Sequence, residues 1–216
     1  MFLCYAYDVM KTKKIFSISL IISIMAILLV GCSSESANRQ GKIAPAVLSG
    51  DQQDIISLIS SDNQEIILFD FQASEFSSVE LWVEVYEYGV LVDSPSGLGL
   101  HSDEATEFDG QMAILINQEQ GTQNFGWTLI IRNSGGTSRT VGPPSTKIQD
   151  GVGLGRAFGP ITEPVEIQDG VEIILYASIF SRGSISIFGD KQIYLEQPEL
   201  LADYPYVHII KAMFTI

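Results

Sequence analysis

Two histidines, a run of carboxylates and an aromatic strand face are the residues of this chain whose types and spacing could do chemistry. His101 lies in an acidic stretch and His208 in a strongly apolar one. Serines are plentiful, but no GxSxG elbow occurs, so a Ser-His hydrolase would have to be recognised by geometry. His208, flanked by apolar residues, is expected to be structural. Around His101 stand Asp93, Asp103, Glu104, Glu107 and Asp109, hard oxygen donors of the kind Ca²⁺ collects, at about 6 to 8 per ion. Their spacing does not match an EF-hand, and a solvated acidic loop is the plainer reading. The glycines Gly151, Gly153, Gly155 and Gly159 follow a GxGxxxG spacing with no βαβ unit around them, so a loop needing positive φ is expected rather than a dinucleotide site. Trp82, Tyr86 and Tyr88 share one strand face with Glu80 and Glu84. Exposed, those rings could stack on a sugar while the carboxylates accept its hydroxyls. Covered, they form half of a core, the commoner state of aromatics in strands.

The N-terminal region carries a different chemistry. Lys11, Lys13 and Lys14 precede an apolar run from Ile15 to Val30, which closes on Leu29-Val30-Gly31-Cys32. A basic flank, an apolar segment and a small-residue cleavage site make a secretory signal. The run is shorter than the roughly 20 residues that span a bilayer, and it contains Ser17, Ser19 and Ser23. Its ending on cysteine resembles the lipobox of bacterial lipoproteins. The resemblance implies a diacylglycerol on the Cys32 thiol, cleavage just before it, and residence at the extracytoplasmic face of the cell membrane. Met10 begins a well-formed signal by itself, so translation is expected to start there. Cys4 lies in the leader and Cys32 would carry lipid, which leaves the mature chain without a disulfide or a cysteine metal ligand.

The organisation expected is a signal peptide over 1–31, a lipidated cysteine and polar tether over 32–46, and a single domain over 47–216. Five of the twelve Lys and Arg lie at or before Lys42, but only two of the 26 acids, so the domain from Ile43 onward is near −17. That charge argues against nucleic acid and against adsorption on anionic membrane. It permits cationic partners such as basic peptides, polyamines or divalent ions; a cationic peptide, a glycan or an envelope protein is the partner expected, with the lipid holding the membrane. No cofactor is expected beyond the covalent lipid.

The elements that must position these residues read as strands. Val79, Leu81, Val83 and Val85 alternate with Glu80, Trp82, Glu84 and Tyr86, the period of a strand with unlike faces. Tyr88-Gly89 is a turn, with Val90 to Val92 returning. Ile66 to Phe71 reads as a strand buried on both faces. Met112 to Asn117, Trp127 to Arg132, Ile173 to Phe180 and Tyr206 to Ile216 are further strands, and Asn133 to Gly136 is a turn. Ile55 to Ile59 is a strand or one helical turn. Asp93 to Gly110 and Gly135 to Pro164 read as long loops, with a short strand near Ser145 to Ile148. Pro198 stands at the start of a short helical turn. Strands in this number, with almost no helical period, specify an all-β fold: a two-sheet antiparallel β-sandwich, or alternatively a β-barrel.

The segments Trp82 to Gly89 and Glu172 to Tyr176, with the closing apolar strand, resemble small uncharacterised lipoproteins of Gram-positive bacteria. That resemblance carries no activity. The expected function is a lipid-anchored, non-enzymatic binding or interaction module. A carbohydrate- or peptide-binding accessory protein and a small hydrolase are the alternatives.

Overall fold

The computed structural model describes residues 41–61, 63–74, 76–101, 108–118, 124–142 and 154–216. The signal segment, Cys32, the tether up to residue 40, Asp103, Glu104, Glu107, Gly151, Gly153 and the strand expected near 145–148 lie outside the described residues. Eleven strands among the described residues form two antiparallel sheets. One sheet has six strands: β1 (Gly41–Pro45), β2 (Gln64–Ala73), β5 (Gly110–Gln118), β6 (Phe125–Asn133), β7 (Gly136–Gly142) and β9 (Val165–Ile167), in the order β7-β6-β5-β2-β1-β9. The other has five: β3 (Ser78–Glu87), β4 (Val90–His101), β8 (Gly155–Pro160), β10 (Glu172–Ser181) and β11 (Tyr206–Thr215), in the order β4-β3-β11-β10-β8. Among the described residues each sheet ends in strands paired on one side only, so the fold is a sandwich and not a barrel.

Strand alternation builds the core between the sheets. Val79, Leu81 and Val83 of β3 face Met112, Ile114 and Ile116 of β5 and Leu129 and Ile131 of β6 within one buried cluster. Phe71, Phe76, Phe108 and Phe214 interlock at one end, with Phe71 and Phe214 centred 5.4 Å apart and edge-on. The apolar run of β11 serves two cores at once. Tyr206, Ile210, Ala212 and Phe214 enter the inter-sheet cluster, whereas Val207 and Ile209 point outward. That outer side is covered by the segment between β10 and β11, which holds α2 (Ile193–Glu196) and a 3-10 helix (Pro198–Asp203). Tyr194, Leu201 and their neighbours close a second, smaller core over Ile174, Ala177 and Ile179. The proline at the start of the 3-10 helix is where the sequence placed a helical turn.

The turn after β3 has two residues, Tyr88 (φ 47°) and Gly89 (φ 79°), and both left-handed conformations match the primed hairpin turns that suit strand twist. Tyr88 accepts this strain while its N–H donates to the Tyr204 carbonyl at 3.2 Å.

Several expectations are corrected. Residues 41–45, placed in the tether, form β1 and pair with β2 and β9, so the sandwich begins before residue 47. Asp93 to His101 is no loop but the greater part of β4. Its Pro95, Gly97 and Gly99 are tolerated because β4 is an edge strand with register shifts against β3. Likewise Gly135 to Pro164 contains β7 and β8, both edge strands rich in small residues. Along β2 only one face is fully buried, since Asp70 is exposed and Ile66 to Leu68 are half-buried. The Ile55 to Ile59 ambiguity resolves as part of α1 (Gly50–Ile59), a helix closed by a Ser49–Gln52 capping box with no buried residue.

Candidate functional site

The strand face singled out in the sequence is the outer face of the five-stranded sheet. On β3, Glu80, Trp82, Glu84 and Tyr86 all point away from the inter-sheet core, because their neighbours Val79, Leu81 and Val83 fill it. Glu84 is the hub. Its Oε1 accepts from Trp82 Nε1 at 2.9 Å, and its Oε2 accepts from the Tyr86 hydroxyl at 2.5 Å. Lys211 of β11, opposite Trp82 in the register, places Nζ 2.8 Å from Glu84 Oε2 and 2.7 Å from Glu172 Oε2. Burial pushes the Glu84 carboxyl up, but the hydrogen bonds from Lys211, Tyr86 and Trp82 outweigh it and hold the group below its ordinary value. Burial and the bond to Glu84 push the Tyr86 phenol up to about 12. Tyr86 is thus a neutral donor at physiological pH. Burial alone would push the Lys211 ammonium down, yet its bonds to Glu172 and Glu84 raise it.

This network locks the Trp82 indole by its N–H. Across the strand pair, Trp82 stands opposite Gly97 and Glu80 opposite Gly99 on edge strand β4. The two glycines carry no side chain over the sheet, so a shallow recess of about 310 Å³ opens beside the half-buried indole, bordered by Glu80 and Leu98. Trp82, Glu80, Glu84 and Tyr86 are therefore brought together as the sequence suggested. Tyr88 is not: it sits in the hairpin turn, 60 % exposed. Lys211, Glu172, Gly97 and Gly99 escaped sequence reasoning. The Gly97/Gly99 spacing of two was the available signal, since it clears one face of a strand.

The histidines part company. His101 ends β4 on the exposed side. His208 is wholly buried between the sheets, with ring centroids 5.2 to 5.9 Å from Phe180, Trp127 and Phe125. Neither of its ring nitrogens, nor Trp127 Nε1, has a hydrogen-bond partner among the described residues. Burial, assisted by the Arg156 guanidinium, pushes His208 down to about 3, so it is neutral at physiological pH. Ser178 is its cross-strand neighbour on β10, but the Ser178 hydroxyl accepts from Arg156 Nε at 2.7 Å. Arg156 also donates to Glu65 at 2.7 Å and to the Tyr176 hydroxyl at 2.6 Å, and it lies between the Phe125 and Phe158 rings at 4.4 and 4.1 Å. Glu65 belongs to one sheet and Arg156 to the other, so this cluster ties the layers together. Arg156, its hub, had no sequence signal, because β8 reads as loop.

Of the carboxylates weighed as calcium ligands, Asp103, Glu104 and Glu107 lie outside the described residues, and only Asp93 and Asp109 can be placed. Asp93 pairs with Val85 eight residues before His101, roughly 27 Å along an extended strand. Asp109 accepts the Ala73 N–H at 3.2 Å, at the end of β2. Among the described residues no group of three His, Cys, Asp or Glu side chains could hold a metal ion.

Searches of curated proteins and of solved structures found no match. A family model, that of the YgaN domain, does match, and it covers residues 42–213, from β1 almost to the end of β11. With most of its length matched in this way, the chain belongs to the YgaN domain family.

Proposed function

We propose that this protein is a lipid-anchored, extracytoplasmic, non-enzymatic binding module that presents the outer face of β3 and β4 to a carbohydrate. One observation carries the ligand class. An indole whose N–H is pinned by Glu84 lies beside a recess cleared by Gly97 and Gly99, with the exposed Glu80 carboxylate at its border. A flat ring held in one orientation stacks on the apolar face of a sugar without losing side-chain freedom on binding. A neighbouring carboxylate accepts the sugar's hydroxyl hydrogens. The anchor rests on Lys11 to Cys32, with only eight residues between Cys32 and β1, which keeps the sandwich within about 30 Å of the lipid.

The chain has two tryptophans, and Trp127 is buried, so fluorescence changes on adding ligand report Trp82. Titration with a panel of neutral oligosaccharides should shift that emission, and Trp82→Ala should abolish binding while keeping the fold. If no sugar perturbs Trp82, or if Trp82→Ala binds as well as wild type, the carbohydrate reading is wrong. The anchor is tested separately: Cys32→Ser should be released in soluble form or persist as precursor. A mature, membrane-bound Cys32→Ser protein refutes it.

A further inference from the structure

A second cleft lies on the opposite flank of the molecule from β4. Its volume is about 530 Å³, and its walls are the β8–β9 connection with β9 on one side and the loop Gly189–Gln192 on the other. Both walls hang from one irregularity. Strand β10 bulges between Ile174 and Tyr176 in its pairing with β11. The Leu175 carbonyl accepts the Ile161 N–H at 2.8 Å. The Gln192 side-chain amide donates to the Ile174 carbonyl at 2.8 Å and accepts the Ile174 N–H at 3.0 Å, replacing a strand neighbour. The cleft is therefore preformed by backbone-anchored walls.

Its chemistry has one sign. Glu163, Glu166 and Asp190 line it with no Lys or Arg among the lining residues, and Ile161, Pro164 and Val165 supply an apolar floor. Lys191, inside the same loop, is buried and turns its ammonium to the Phe188 and Gly189 carbonyls. The nearest base in the strand register is Lys42, opposite Glu166 on β1. Along the same wall runs the edge of the six-stranded sheet. Strand β9 pairs with β1 on one side and with no other strand among the described residues on its other side. An unpaired edge is a template for an added strand, with backbone bonds giving affinity and side-chain pockets giving specificity.

We propose that this cleft binds an extended basic peptide segment, which adds as a strand to β9 and sets its lysines or arginines against Glu163, Glu166 and Asp190. The site is separate from the Trp82 recess and does not depend on the carbohydrate reading.

The test uses the full chain in detergent and a hexapeptide of alternating lysine and valine, capped at both ends, with binding followed by calorimetry. The comparison proteins are the triple variant Glu163→Gln, Glu166→Gln, Asp190→Asn, and Trp82→Ala. Asn at 190 keeps the oxygen that accepts the Gln192 N–H at 2.9 Å, and all three side chains are exposed, so the fold is preserved. The expected result is saturable binding that weakens at least about tenfold in the triple variant and is unchanged in Trp82→Ala. The same peptide N-methylated at alternate residues, its charge intact but its strand edge blocked, should also weaken at least about tenfold. The proposal is overturned by absent binding to the native protein, by equal binding to the triple variant, or by equal binding of the N-methylated peptide.

Discussion

Replacing His208 by phenylalanine should flatten the pH dependence of stability between pH 7.5 and 5.5. In the folded protein the imidazole is enclosed by Phe125, Trp127 and Phe180, and burial with the Arg156 charge lowers its pKa from 6.5 to about 3. The unfolded chain binds a proton near pH 6.5, and the folded chain does not until near pH 3. Below pH 6.5 the unfolded state thus holds more protons, and stability falls as pH falls. At pH 5.5 the unfolded histidine lies one unit below its pKa, which costs the folded state about 1.4 kcal/mol relative to pH 7.5. For a domain of this size that is a drop of about 3 to 6 °C in Tm. Urea denaturation followed by Trp127 emission at the two pH values measures it, and both lie above the range where carboxylates titrate. His208→Phe places a ring among rings and carries no titrating group, so its own pH difference should be smaller by that same amount. An equal difference in wild type and variant would refute the reasoning, whatever the variant's absolute stability.

Other substitutions probe the remaining polar contacts. Arg156→Lys keeps the charge but loses the planar fork that reaches Glu65, Ser178 and Tyr176 together, and should cost about 2 kcal/mol in urea melts. Lys211→Met strands the buried Glu84 carboxylate and should cost about 3 kcal/mol at pH 7; adding Glu84→Gln should recover most of it, and a double variant no better than the single contradicts the pairing. Because Glu84 is held below its ordinary pKa, its contribution in wild type is present at neutral pH and disappears as acid protonates it, which a stability profile below pH 5 will show. Gly110→Ala puts a methyl 2.2 Å from the Arg132 carbonyl and 2.6 Å from the Phe71 ring, so about 3 kcal/mol should be lost and unchanged stability would falsify the packing described.

What could be read from the residues, and what could not, follows from which face each strand buries. Strands β3, β10 and β11 were legible because core-facing valines, isoleucines and leucines impose period two or a continuous apolar run. Edge strand β4 beyond Val92, and edge strands β7 and β8, were not, because half their residues face water and their glycines and Pro95 look like turn signals. The site divided along the same line. Trp82, Glu84 and Tyr86 stand two apart on one strand, a spacing that sequence displays. Lys211, Gly97 and Gly99 join them only through the pairing of β3 with β11 and β4, which no local pattern contains. The cleft beside β9 was invisible for that reason too, since residues 161–166 and 189–192 meet only through the bulge in β10.

The position of β11 has a consequence for when the sandwich can close. The final strand lies inside the five-stranded sheet, between β3 and β10, and not at its rim. Until residues 206–215 emerge, β3 and β10 have no common neighbour, both cores stay open, and the covering segment between β10 and β11 has nothing to close over. A chain made from its N-terminus onward can therefore pair the six-stranded sheet early, but completes the five-stranded sheet only after β11 has been made. Under the export proposed above, that order would postpone closure of the five-stranded sheet until its central member is free.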